Sequence, residues 1–214
     1  MANPVSFPTE ALQQLIVLTR DLVPRACEAR SIAVTSALVD EGVSSTVHAW
    51  ASNLARVHQQ RVLLVDANLH RPSLHELVQR QRAPGLADLL VDGGGDWSAH
   101  RQKLGEGFEF IGAGRPLEHP SRYLETGEIR AALTRLGGSF DWVVFDCPAV
   151  NVYPDTPSIA AACTSSVLVV RSGRTRREVV LEAKRRLEQA GAEIAGVVLN
   201  RRRYYIPESL YRWL

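Results

Sequence analysis

The sequence predicts one α/β domain built on a doubly wound, mainly parallel sheet with helices on both faces. Short apolar runs rich in β-branched residues recur along the chain, and helical stretches separate most of them. Continuous apolar runs are typical of strands buried on both faces, as in a parallel sheet. Regular alternation of strands and helices is typical of doubly wound sheets. The length of 214 residues suits one such domain.

The chain divides into three predicted parts. Segment 1–30 is expected to hold a helix that begins after Pro8, with Thr9 as its N-cap and apolar residues at helical spacing. The α/β domain spans 31–200, and an arginine- and tyrosine-rich tail spans 201–214. The predicted strands are 31–36, 61–66, 108–114, 141–150, 165–173 and 194–200. The predicted helices are 45–59, 73–80, 121–136, 157–163 and 176–190.

Glycines mark two further features of the chain. Gly191 is expected to end the last helix, because glycine readily adopts the left-handed conformation that follows many helices. Segment 85–107 contains several glycines and is predicted to be a surface excursion. In a doubly wound sheet, ligands bind at the carboxyl ends of the strands, so the loops after the strands are the first place to search for a site.

Composition excludes several classes of protein. An apolar share of 45% and a charged share of 22% exclude a mainly disordered or collagen-like chain. No run approaches the roughly 20 apolar residues of a membrane span, and the first residues do not resemble a secretory signal. Three cysteines form no disulfide framework and no paired zinc motif. The six histidines show no metal-binding spacing. We therefore expect a cytoplasmic protein.

The loop after the first strand has the order of a phosphate-binding loop. Gly42 and the hydroxyls of Ser44 and Ser45 stand at the predicted helix start. The position of the phosphate-binding lysine is Val43, and the first glycine position is Asp40. An acidic residue beside a polyphosphate is repulsive. On these residues alone, the alternative is a helix N-cap in which Ser44 or Ser45 satisfies the first amides.

Several motifs in order resemble those of the bacterial tyrosine kinases. They are "VTS…EG.SST", "RVLLVDANLHRPSLHEL", "VVFDCPAV" followed by Asp155, and "GAEIAGVVLN" followed by tyrosines. The resemblance runs from about residue 31 to residue 214, and "VDANLHRPSLH" is its most specific stretch. It implies a P-loop NTPase-like fold, a nucleotide pocket and a cytoplasmic kinase domain attached to capsular and exopolysaccharide export machinery.

The resemblance also assigns roles to individual residues. Asp66 and Asp146 match the catalytic carboxylates, and with Ser44 they match the magnesium ligands. Gly42, Ser44, Ser45 and Asn200 match the nucleotide pocket, with Asn200 beside the adenine. From the residues alone there is an alternative for each. Asp66 and Asp146 could equally be solvated or capping carboxylates that end strands, and Asn200 could be a turn residue at the end of a strand.

Three positions depart from the family's pattern. Val43 replaces the lysine, Asp40 replaces a glycine, and Asn68 replaces the second acid of the "D-x-D" motif. In addition, His70 stands at the family's arginine position. The sequence therefore predicts a degenerate phosphate loop and a vestigial nucleotide pocket.

The tail carries three candidate phosphoacceptors, Tyr204, Tyr205 and Tyr211, beside four arginines. By resemblance they are phosphorylated between protomers, and the arginines could hold the phosphate. The alternative from the residues is an amphipathic docking helix whose rim is formed by the tyrosines. The basic run suits a solvated surface, and we expect no nucleic-acid partner.

Three functions stay open at this point. The leading hypothesis is a catalytically impaired kinase-like regulatory or scaffolding protein of exopolysaccharide biosynthesis, with no cofactor. Its expected partners are a membrane polysaccharide co-polymerase (Wzz-like), an active tyrosine kinase and further copies of itself, at the inner face of the membrane. The second is an active autokinase that uses ATP and magnesium, with Arg71, Arg171 or Arg174 as substitute cation. The third is a partitioning-type ATPase or localisation factor.

Overall fold

A seven-stranded sheet forms the centre of the molecule in the computed structural model, which describes residues 15, 17, 29–93 and 97–201. The strand order is β3-β4-β2-β5-β1-β6-β7, and every neighbouring pair is parallel except β3 and β4. The strands are β1 (Arg30–Ser36), β2 (Val62–Asp66), β3 (Gln102–Gly105), β4 (Phe108–Ile111), β5 (Trp142–Asp146), β6 (Ser165–Arg171) and β7 (Ile194–Asn200). The predicted mainly parallel sheet is confirmed.

Six α-helices connect or follow the strands in the described part of the chain. They are α1 (Val43–Arg56), α2 (Leu74–Val78), α3 (Leu86–Val91), α4 (Thr126–Leu136), α5 (Asp155–Ala162) and α6 (Arg177–Gln189). Short 3-10 turns lie at Trp97–His100, Pro120–Arg122 and Gly137–Ser139. Gly191 follows α6 with a φ of 80°, as the sequence predicts for a helix end.

Both faces of the sheet are covered, and β2 shows how the sequence achieves this. Val62 and Leu64 point into the apolar cluster under α1 and α2, whereas Leu63 and Val65 point into the cluster under the other helices. All four are fully buried. Alternate residues of a strand face opposite sides, so an unbroken apolar run is what a doubly covered strand requires.

The structure corrects three predicted boundaries. Segment 85–107 is part of the domain and not a surface excursion, because it contains α3 and the edge strand β3, and Leu86 and Leu89 are buried. The strand predicted over 141–150 ends at Asp146, and residues 147–149 have no regular structure. The helix predicted from residue 121 begins at Thr126, after the turn at Pro120–Arg122.

Two predicted features lie mostly or wholly outside the described residues. Of the N-terminal helix, only Leu15 and Val17 are described, both helical, and Leu15 is fully buried in the apolar cluster under α1. The tail tyrosines Tyr204, Tyr205 and Tyr211 are outside the described ranges. Within those ranges, no helix is long and apolar enough to cross a bilayer.

Candidate functional site

The loop between β1 and α1 winds closely around the start of the helix. Gly42 has a φ of 91°, and a Cβ there would lie 2.3 Å from Nδ2 of Asn200. Only glycine suits a positive φ and such close contact at once. Asp40 also has a positive φ, 62°, a conformation that aspartate tolerates better than most residues. The family's glycine position therefore keeps a left-handed backbone although its residue is Asp40.

Glu41 fixes this loop to the end of β6. Its carboxylate accepts hydrogen bonds from the backbone N–H of Leu38 at 2.9 Å and of Arg171 at 3.0 Å, and from the hydroxyl of Thr175. The residue is only 2% exposed. The Asn200 side-chain amide donates to the Glu41 carbonyl oxygen at 2.9 Å. The loop is thus tied to the ends of both β6 and β7.

The hydroxyls at the start of α1 do not cap the helix. The N-cap residue is Gly42, and no side chain makes a capping hydrogen bond. The Ser44 hydroxyl accepts a hydrogen bond from Ser73 at 3.3 Å, and the Thr46 hydroxyl donates to the Gly42 carbonyl at 2.8 Å. The alternative in which Ser44 or Ser45 serves as N-cap is therefore wrong.

Asp66 and Asp146 occupy directly paired positions at the carboxyl ends of β2 and β5. Asp66 accepts hydrogen bonds from the backbone N–H of Asn68 and of Leu74, both at 3.2 Å. Burial and the neighbouring Asp146 charge raise the pKa of Asp66 well above its usual value. Burial raises the pKa of Asp146 to about 7, although the Ser44 hydroxyl offsets part of the rise.

The two carboxylates differ in what they have left to bind. Both oxygens of Asp146 are buried, and among the described residues neither makes a hydrogen bond of good geometry, although the Ser44 hydroxyl is nearby. Both oxygens of Asp66 are held by backbone amides. A buried carboxylate without partners is costly unless a cation or donor joins it. Asp146 is therefore the carboxylate that remains open to a ligand.

A cavity of about 450 Å³ lies between the loop and the chain that follows β2. Gly42, Ser44, Ser45 and Asp146 line it, whereas Asp66 and Asn200 do not. Four of the six pocket residues predicted from the sequence therefore lie at the cavity surface.

Two arginines supply positive charge to the cavity. Arg71 and Arg201 both line it, whereas Arg171 and Arg174 do not. Arg71 was among the cations expected from the sequence, but Arg201 was not. The chain's two lysines lie elsewhere, Lys103 in β3 and Lys184 in α6.

A histidine–carboxylate pair borders the same cavity. Nε2 of His70 is hydrogen-bonded to Oδ2 of Asp155, the first residue of α5. The His70 ring stacks on Tyr153, with ring centroids 4.2 Å apart, and Tyr153 lines the cavity. Spacing gave no signal for this pair, because 85 positions separate the two residues.

The carboxylate of Asp146 is a possible ligand for the magnesium ion that the fold family implies. Asp146 and the Ser44 hydroxyl are oxygen ligands of the kind that Mg²⁺ prefers, and the unpartnered oxygens of Asp146 suit such an ion. Within the described residues, no cluster of three or more histidine, cysteine, aspartate or glutamate side chains could hold a metal without further ligands. Mg²⁺ usually keeps several waters and phosphate ligands, so a two-ligand site is compatible with it.

Comparison with known proteins places this geometry in a family. A family model described as "Cellulose biosynthesis protein BcsQ" matches residues 31–196, about three quarters of the chain. The chain belongs to this family. The matched residues include the loop, both strand-end carboxylates and most of the seven strands.

Several relatives of this chain are bacterial tyrosine kinases, as the motif resemblance predicts. Tyrosine-protein kinase YwqD of Bacillus subtilis is 28% identical over 80% of this chain and 72% of its own length. Tyrosine-protein kinase etk of Escherichia coli K12 is 29% identical over 92% of this chain but only 27% of its own length. This chain therefore corresponds to about a quarter of the longer kinase.

A solved kinase domain is among the structures that match this fold. The kinase domain of Escherichia coli tyrosine kinase ETK superposes with a TM-score of 0.83 at 28% identity, over 95% of this chain and 80% of that one. The expected fold class is confirmed by this superposition as well as by the strand order.

Proposed function

We propose that the chain is a catalytically impaired, tyrosine-kinase-like regulatory or scaffolding protein of bacterial exopolysaccharide or capsule biosynthesis and export. The observation that carries the impairment is the aliphatic side chain of Val43 at the first residue of α1. Phosphoryl transfer depends on positioned positive charge around the phosphates. A valine at this position supplies none.

Neither lysine of the chain replaces the missing ammonium group. Lys103 lies on the edge strand β3, and Lys184 pairs with Glu188 at 3.0 Å on α6. Neither lines the cavity. The acid that follows Asp66 in the family motif is Asn68 here, so the cavity also has one carboxylate fewer for metal. We expect no ATP turnover and no resident cofactor.

An active tyrosine autokinase is the second candidate, because Asp146 keeps two unpartnered oxygens beside the Ser44 hydroxyl. Under that candidate, Ser44 and Asp146 hold Mg²⁺ and Asp66 orients the loop after β2 through its two backbone hydrogen bonds. Bound Mg²⁺ would neutralise phosphate charge. Arg71 would then take the role of the lysine.

The proposed partners are those that the resemblance to bacterial tyrosine kinases implies. The impaired subunit would bind a membrane polysaccharide co-polymerase at the inner face of the membrane, together with an active tyrosine kinase or further copies of itself. Tyr204, Tyr205 and Tyr211 would then be substrates of that kinase. In this arrangement the chain acts through binding, and its own pocket performs no phosphoryl transfer.

Phosphotyrosine formation separates the two candidates. The purified chain is incubated with ATP and Mg²⁺, and phosphotyrosine is measured beside the ETK kinase domain as a positive control. We expect no phosphotyrosine on this chain alone, and phosphotyrosine on its tail when an active kinase is added. Phosphotyrosine that forms without an added kinase and disappears in Asp146→Asn would establish the active enzyme instead.

A further inference from the structure

We propose that the outer edge of β7 pairs antiparallel with the same edge of a second copy of this chain, so that two sheets join across a two-fold axis. The surface includes a groove of about 650 Å³ between α6 and β7, lined by Leu181, Lys184 and Val197 among others and here called the edge groove. The inference deepens the proposed function, because it gives a surface to one of its partners, further copies of the chain. It does not depend on the lack of turnover.

The two edges of the sheet differ in how they are protected from pairing. β3 has four residues, an irregular register between Lys103 and Gly105, and an exposed lysine. Short strands, bulges and lysines commonly protect a sheet edge. β7 has seven residues, IAGVVLN, with no charged residue and no proline. Among the described residues, no strand pairs with its outer side. β7 is therefore the edge that is open to a further strand.

β7 also carries apolar side chains that remain half-exposed. Val197 and Leu199 are 46% and 52% exposed, whereas Leu168 and Val170, their direct neighbours on β6, are 1% and 5% exposed. Leu168 and Val170 belong to the apolar cluster that also contains residues of α6. Leu181 of α6, 49% exposed, lines the edge groove beside Val197. The cluster thus covers β6 on this face and leaves an apolar strip along β7.

This strip is self-complementary about Val198. If two β7 strands pair antiparallel with the axis at Val198, then Val197 of each copy lies directly opposite Leu199 of the other. Directly opposed residues on one face of an antiparallel pair have Cβ atoms about 4.5–5.5 Å apart. Four half-exposed apolar side chains would therefore form one patch. A contact of the same surface with itself closes at two copies, which is the commonest symmetry of oligomers.

The side chains of α6 that line the edge groove fit the same axis. Arg177, Leu181, Lys184 and Glu188 line it, and side chains three or four positions apart share one face of a helix. An axis perpendicular to the sheet would place the two α6 helices antiparallel on one face of the joined sheet. Arg177 of one copy would then face Glu188 of the other, which pairs with Lys184 of its own helix at 3.0 Å. This charge complementarity favours a second copy over an unrelated partner.

The test is sedimentation velocity of the full chain over a range of concentrations, without nucleotide. The parent is compared with Val197→Lys/Leu199→Lys, which sets like charges opposite each other in the proposed pair. Val57→Lys/Val91→Lys is the matched control, because it adds the same charge at two other exposed apolar residues, 66% and 37% exposed. We expect a dimeric parent, a dissociation constant raised about tenfold or more by Val197→Lys/Leu199→Lys, and little change in the control.

A second variant tests the register. Val197→Lys/Leu199→Glu also introduces two charges, but the lysine of each copy would face the glutamate of the other. We therefore expect it to dimerise more tightly than Val197→Lys/Leu199→Lys. Equal weakening by both variants would overturn the pairing about Val198.

Two further outcomes would overturn the proposal. A parent that stays monomeric at every concentration would mean that the tail or an unrelated partner covers this edge, and a dimer that Val197→Lys/Leu199→Lys leaves intact would mean that another surface joins the copies. Circular dichroism of each variant confirms that the fold is retained. The proposed function fails separately, because phosphotyrosine formed by the parent alone would refute the impairment and leave the measured mass unchanged.

Discussion

Asp66 and Asp146 are directly paired on adjacent parallel strands, and both are almost completely buried at 0% and 1% exposure. Two neighbouring carboxylates that are both buried repel each other when charged, so both resist ionisation. Ionisation of both side chains is therefore unfavourable, and the fold keeps this unfavourable pair at the carboxyl edge of its sheet. Strain of this kind is typical of a functional site.

The first prediction concerns the pH dependence of stability. Burial raises the pKa of Asp146 to about 7 from 3.8, so the folded state keeps a proton that the unfolded state loses from about pH 4. The free energy of unfolding therefore falls as the pH rises from about 4 to about 7. Asp146→Asn removes this loss. We therefore expect the stability of Asp146→Asn relative to the parent, measured as the free energy of unfolding, to be higher at pH 8 than at pH 5 by roughly 2–3 kcal/mol. Urea denaturation at the two pH values measures it.

The exposed Glu106 supplies the control for this experiment. Glu106→Gln removes a carboxylate from the surface, and its effect on unfolding should be the same at pH 5 and pH 8. If Asp146→Asn shows equally little dependence on pH, Asp146 is not held neutral by burial in the folded chain.

The second prediction concerns the anchor of the loop. Glu41→Ala removes the acceptor of the Leu38 and Arg171 N–H groups and of the Thr175 hydroxyl. Leaving buried donors unpaired costs about 1–3 kcal/mol each, so we expect a loss of about 2–4 kcal/mol in the free energy of unfolding. The exposed Glu118, changed to Ala, should cost less than about 0.5 kcal/mol. Equal effects of both changes would mean that Glu41 does not hold the loop.

The third prediction separates backbone strain from steric contact. Gly42 and Gly93 both have positive φ, 91° and 77°, but a Cβ at Gly93 meets nothing within 4 Å. Gly93→Ala should therefore cost only the conformational penalty, about 1 kcal/mol. Gly42→Ala should cost clearly more, because its Cβ would lie 2.3 Å from Nδ2 of Asn200. Thermal unfolding of the two variants measures the difference.

The double variant Gly42→Ala/Asn200→Ala completes that comparison. Removing the Asn200 amide should recover part of the cost of Gly42→Ala, as a negative coupling in a double-mutant cycle. Additive costs, or a Gly42→Ala no worse than Gly93→Ala, would contradict the close approach of the loop to β7.

The fourth prediction concerns the pair of His70 and Asp155. The Asp155 carboxylate is fully buried, and its Oδ1 has no partner among the described residues. His70→Ala would leave the whole carboxylate unpartnered, at a cost of about 2–4 kcal/mol. The exposed His58→Ala should cost little. A loss that persists in full in His70→Ala/Asp155→Asn would show that His70 stabilises the chain by packing on Tyr153 instead.

The sequence predicts the sheet and its helices because the apolar periodicity of the central strands is strong. β3 was missed because its residues, Gln102–Gly105, are half-buried or exposed and carry no apolar run. Such an edge strand owes its conformation to pairing with β4, which is a tertiary contact. The helix N-cap at Ser44 or Ser45 was wrong because the tight turn at Gly42 places the N-cap two residues before Ser44.

The pocket was predicted only in part, for a related reason. Motif spacing indicates Gly42, Ser44 and Asp146, since each lies at the carboxyl end of a strand or in the loop and helix start that follow one. Arg201 is the first residue after β7, and only the side-by-side order of β1, β6 and β7 brings it to the loop. The same holds for Glu41, whose partners at Arg171 and Thr175 lie 130 and 134 residues away.

The side chain at position 43 decides whether the loop can support phosphoryl transfer. ATP hydrolysis by the parent is compared with that of Asp40→Gly/Val43→Lys in the presence of Mg²⁺. Asp40 already has the backbone conformation of a glycine, with φ at 62°, so the double change should preserve the loop. We predict no turnover by the parent and measurable turnover by the repaired chain. Turnover by the parent that the repair does not increase would contradict the claim that Val43 disables the site.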